Sequence, residues 1–173
     1  MTFQQKFLIV VLLNTAVALA LAARMSPIRM SDSAESRTKL WVSAWLAAVS
    51  VALLLVGVVS NTLLRHVIQI SPLALALVVT ARRSSFGATM ALPLFTFWLF
   101  VMGGIWLFLL GIAPVFTGQF SSAEVILTVV IGLASIGGLV VVLRQGTALS
   151  LATRLGAVLV FAILQPVAMV LSF

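Results

Sequence analysis

The stretch NTLLRHVIQISPLALALVVTARR, Asn61–Arg83, decides how this chain folds. Its apolar run, Val67 to Ala81, is too short to cross a bilayer, which takes ~20 residues. Reaching back to Thr62 supplies the length, but it draws Arg65, His66 and Gln69 into the first two turns of the helix. A charge at the centre of a bilayer costs ~2.5–3.5 kcal/mol on insertion scales. Near the interface the cost falls, because a long side chain can reach back to water.

Charge outside this stretch arbitrates. If residues 62–81 cross, Arg24, Arg29, Arg37, Lys39, Arg82, Arg83, Arg144 and Arg154 share one face, and only Lys6 and Arg65 lie on the other. If they do not cross, the split becomes four against six. Cytoplasmic loops carry the excess of Lys and Arg, so the crossing arrangement is the one the sequence favours. The expected fold is all-α: a polytopic integral membrane protein of six transmembrane helices with short loops, near 7–23, 40–60, 62–81, 88–114, 125–143 and 155–173. Both termini then face the non-cytoplasmic side. A cleaved signal peptide ending near Ala22 would translocate the basic loop at Arg24–Lys39, which disfavours it.

Composition agrees. Of the 173 residues, 63% are hydrophobic and 8% are charged, against ~25% charged in soluble domains, and mean hydropathy is +1.31. One transmembrane domain accounts for the whole length, and the expected setting is a bacterial cytoplasmic (inner) membrane. The net charge of +7 lies in short loops rather than on a basic face with interleaved aromatics, so no nucleic-acid partner is expected.

Several chemistries lack their residues. Without cysteine there is no disulfide, thiolate metal site or cysteine nucleophile. His66 is the only histidine, so a two-histidine metal or haem site within one chain is excluded. The three acids, Asp32, Glu35 and Glu124, all fall outside the expected helices, and ion-coupled carriers usually keep a carboxylate at membrane depth. Asp32 with Glu35, and Ser121 with Glu124, have the spacing of helix-starting capping boxes. No cofactor and no metal are expected, and catalysis is disfavoured. An enzyme acting on lipid or quinone would have to use His66 as its acid or base.

The strongest polar constellation is Asn61, Arg65, Gln69 and Pro72, whose steps of four, four and three put them on one helical face, with His66 at its border. Three readings follow. Arg65 can anchor the helix end to lipid phosphate. Arg65, His66 and Gln69, with Asn61 beside them, can donate to an anionic or quinone-like head group. Arg65 can also pair with Glu124, the one acid on its face.

Small residues give a second signal. Ala134 and Gly138 in the fifth helix, and Asn14, Ala18 and Ala22 in the first, form stripes that let helix backbones approach closely. Such stripes serve internal packing or contact with a second copy or a larger membrane protein. In the fourth helix Trp98 and Trp106 stand eight apart on one face, and a buried indole N–H calls for an acceptor. Gln165-Pro166 removes a backbone hydrogen bond from the last helix and should kink it, and Gln165 can satisfy either a freed carbonyl or a neighbouring helix. The expected function is that of a non-catalytic accessory or structural subunit, or a homo-oligomeric component, contacting the lipid bilayer. The alternative is a small transporter or channel for a hydrophobic or anionic solute, using Arg65, His66 and Gln69.

Overall fold

The structure, a computed structural model, describes residues 2–24, 32–114 and 118–173. Within them the chain is all helical: α1 (Phe3–Arg24), α2 (Asp32–Val59), α3 (Leu63–Gln69), α4 (Ser71–Arg82), α5 (Ser84–Leu109), α6 (Ser122–Arg144) and α7 (Leu151–Leu171). Four helices, α2, α5, α6 and α7, are long and apolar enough to cross a bilayer. α3 and α4 qualify only as a pair, bent by 44° at their junction, which makes four to five candidate spans. α1 adds a shorter apolar segment, Val11–Arg24. These are the helices of a multi-pass membrane protein. Leu133, Val160 and Ile126 point out of the bundle, as lipid-facing side chains do.

The expected continuous helix over 62–81 is therefore corrected to two. Pro72, at the start of α4, has no N–H to offer the preceding turn, and the ladder breaks at Ile70–Ser71. The freed carbonyls find side chains instead. Ser71 Oγ donates to Ile68 O at 2.7 Å, and Gln165 Nε2 of α7 donates to Gln69 O at 3.0 Å. Gln165 thus serves a neighbouring helix, one of the two roles its position beside Pro166 allowed.

Other boundaries move for local reasons. The fourth expected helix, 88–114, runs instead over Ser84–Leu109 as α5. It stops at Gly111, whose φ of 71° is open to glycine, with Ile112 N–H bonding Leu107 O and Gly111 N–H bonding Phe108 O. α2 stops the same way. Asn61 takes φ 54°, while Thr62 N–H bonds Gly57 O and Asn61 N–H bonds Val58 O. At its other end α2 begins at Asp32, in keeping with a start there, although the preceding loop and the Asp32 side chain lie outside the described residues. Ser121 and Glu124 form the capping box their spacing predicts.

α5 is the central helix, with 61% of its apolar window buried, against 33% in α2, 39% in α6 and 44% in α7. It packs on α6, α4, α7, α1 and α2. Its rings fill notches on α6, where glycine makes the room: a Cβ on Gly138 would sit 2.4 Å from the Phe95 ring, and one on Gly132 2.3 Å from Trp106. Trp45 of α2 fills the third notch, at Gly137. On the other side α1 lies against α7 and α5, with Asn14, Ala18 and Ala22 completely buried. There Arg154, buried in the first turn of α7, donates to Ala22 O at 3.2 Å, placing a cation at the carbonyl end of α1.

Candidate functional site

At the end of the bundle where α3 begins, the helices leave a cavity of about 230 Å³. It lies beside the broken α3–α4 pair, where α3 packs on α2 and α7. Gly57 of α2 permits that approach, since a Cβ there would lie 3.0 Å from the His66 ring. Four of the five polar residues expected at a site, Arg65, His66, Gln69 and Glu124, line this one cavity. Asn61 does not. It sits exposed in the turn that ends α2, off the helical face to which its spacing assigned it.

The polar groups are held in different ways. Gln69, buried on α3, donates through Nε2 to Ser172 Oγ at 2.9 Å, and Ser172 Oγ in turn donates to Met169 O. The exposed Arg65 guanidinium stands over the Phe173 ring, 5.2 Å from its centroid. Glu124 accepts from Ser121 N–H at 2.7 Å and Ser121 Oγ at 2.8 Å. Among the described residues no ion pair joins Arg65 to Glu124. Each already has another partner.

His66 is fixed by a chain of donors. Ser60 Oγ gives its only proton to Val56 O at 2.7 Å. The contact between Ser60 Oγ and Thr62 Oγ1, 2.5 Å, must then use the Thr62 proton. Thr62 is left to accept at both its oxygens, Oγ1 at 3.2 Å and the carbonyl at 3.1 Å from His66 Nδ1. The network thereby assigns the proton of a neutral His66 to Nδ1 and leaves Nε2 an acceptor.

The walls are apolar, with Val101, Met102, Ile105 and Ile131 among them. Ser60, Thr62 and Thr128 also line it, each engaged in hydrogen bonds, and so does one residue whose polar atom has no partner. Trp98 is 2% exposed, borders the cavity, and its indole N–H has no acceptor. At 1.5 Å per residue it lies about 16 Å along α5 from the end of that helix at Leu109. Trp106, two turns along, is the contrast: its N–H reaches Thr128 Oγ1 at 3.1 Å. The sequence marked both indoles as needing acceptors and could not say which would lack one.

The stripes expected to pack helices are internal here. Ala134 is 3% exposed, and Gly138 holds the Phe95 ring. Among the described residues no group of three His, Asp or Glu side chains is placed to hold a metal ion. No known protein-family model matches the chain, and no curated protein or solved structure matches it either.

Proposed function

We propose that this chain is a non-catalytic multi-pass membrane protein that binds a small amphipathic molecule in the cavity beside α3. The observation that carries the reading is the convergence of Arg65, His66, Gln69 and Glu124, from two separate stretches of chain, on one apolar-walled cavity. Drug-sized ligands need pockets of ~300–1,000 Å³, so 230 Å³ suits a single ring or head group. A carrier for such a molecule, the transport reading of the sequence, uses the same site. The accessory-subunit or homo-oligomer reading is the second proposal; a partner would then meet a surface other than the notches at Gly132, Gly137 and Gly138, which this chain's own rings fill.

Within this reading the chain has six spans, with both termini and the cavity on the non-cytoplasmic face of a bacterial cytoplasmic membrane. Two arguments support a crossing α3–α4 pair. Charge divides eight to two only if the pair crosses. In addition, α5 is 26 residues long, about 39 Å, and Ile105 near its far end lines the cavity, so Arg82 and Arg83 at its start belong to the opposite end. The native chain has no cysteine, so single-cysteine variants report sidedness directly. Gly118→Cys should react with an impermeant maleimide in intact cells and Arg83→Cys only after permeabilisation; labelling of both in intact cells rejects the topology.

Binding is tested by thermal melting of the purified protein in nanodiscs against a panel of amphiphiles. At least one class should raise Tm, and Val101→Trp, which fills the cavity, should abolish the rise. A panel without effect on the wild type, or a rise that survives Val101→Trp, rejects the cavity as a binding site.

A further inference from the structure

We infer that the cavity takes the head group and one chain of a zwitterionic amphiphile, its phosphate on Arg65 and its ammonium on Glu124. This rests on the cavity reading above and adds the chemistry of the occupant. Two unspent charges of opposite sign line the one space. The Arg65 guanidinium lies over the Phe173 ring, and none of its five donors has an acceptor among the described residues. Both bonds that the Glu124 carboxylate accepts from Ser121 end on Oε2, which leaves Oε1 without a partner there. Arg65 is exposed and Glu124 half-buried, so a head group can reach both.

The two charges do not pair with one another, and a molecule carrying both signs can bridge them. Each excludes one kind of simple ion: an anion meets the Glu124 carboxylate, and a cation meets the Arg65 guanidinium. A zwitterion meets neither repulsion. The planar fork of arginine bonds phosphate oxygens in pairs, which assigns the anionic end. The free Oε1 accepts from a primary ammonium and gains no hydrogen bond from a quaternary one. Below the charges the walls are apolar, with Leu53, Val101, Met102, Ile105 and Ile131. A cavity of ~150 Å³ holds benzene, so 230 Å³ takes roughly nine carbons, part of one chain rather than two. The class indicated is a phosphoethanolamine ester, either a free amphiphile or a bilayer lipid with one chain inserted.

The test is equilibrium binding to the full chain in phosphatidylcholine nanodiscs at pH 7.5, with empty nanodiscs correcting for partition into lipid. The probes share an octyl chain: octyl phosphoethanolamine, methyl octyl phosphate, which lacks the amine, and octylamine, which lacks the phosphate. The zwitterion should bind saturably and at least fivefold more tightly than either singly charged probe. Glu124→Gln, which keeps a residue suited to the capping box of α6, should bring methyl octyl phosphate level with the zwitterion. Arg65→Gln should bring octylamine level with it instead. A purely structural role would weaken all three probes together. Each variant's melting curve confirms its fold, and if one variant fails to fold the other still decides. Phosphatidylethanolamine added to the nanodisc separates the sources: competition with the octyl probe assigns the site to a bilayer lipid, and no competition assigns it to a free amphiphile of the same head group.

Equal binding of the three probes, or a preference for the zwitterion that survives both Glu124→Gln and Arg65→Gln, overturns this inference. If the three bind alike and all are lost in Val101→Trp, the cavity reading stands and the head-group chemistry falls. No saturable binding of any probe overturns both.

Discussion

Two regions that share α5 are built on opposite terms. Along α6 every notch is filled: Phe95, Trp106 and Trp45 lie against Gly138, Gly132 and Gly137, and the Trp106 N–H has Thr128. Beside α3 the helix is broken, an apolar cavity remains, and the Trp98 N–H has no partner. In a bilayer there is no hydrophobic drive between helices, so close packing must supply cohesion. The filled region supplies it, and the open region is free to depart from it. The contrast teaches that the open region of this bundle coincides with the helix break, where Ser71 and Gln165 replace the missing backbone bonds.

The largest effect should come from spoiling the filled region. Gly138→Val drives a branched side chain into the Phe95 ring and should cost about 3 kcal/mol, the upper end for overpacking. A melt within about 0.5 kcal/mol of wild type would break the claim that these notches are closed. A smaller loss should follow Gln165→Leu, which strips Gln69 O of its donor at the helix break. Hydrogen bonds between membrane helices average ~0.6 kcal/mol, and an orphaned buried carbonyl adds to that, so about 1 kcal/mol is expected. Protease or hydrogen-exchange opening confined to α3 would sharpen the comparison further. The smallest effect belongs to Arg65→Ala. An exposed cation–π contact contributes ~0.5–1 kcal/mol at most, so stability should fall by about 0.5 kcal/mol, with any larger change appearing in ligand or lipid binding.

The two regions were also unequally legible in the sequence. The glycines of α6 and the rings of α5 announced close packing, and the Ser121–Glu124 spacing gave the start of α6 directly. Charge asymmetry drew Arg65, His66 and Gln69 into one helix end, which is where the cavity formed. What stayed hidden depends on backbone dihedrals and on long-range partners. Asn61 has helical spacing to Arg65, yet its tolerance of positive φ makes it the stop of α2. Pro72 shares the spacing of a polar face, and nothing local marks it as the break, because Gln165, which serves the freed carbonyl, stands almost a hundred residues on. The difference between Trp98 and Trp106 is likewise set by whether α6 presents a threonine opposite the indole.

The most direct test compares those two tryptophans in ligand-free protein, as Trp98→Phe and Trp106→Phe melted in the same nanodiscs. Losing the bond to Thr128 should lower the stability of Trp106→Phe by about 0.6–1.5 kcal/mol, whereas Trp98→Phe, which deletes an unsatisfied donor, should match or exceed wild type. An equal or larger loss in Trp98→Phe would contradict the contrast between a bonded and an unbonded indole.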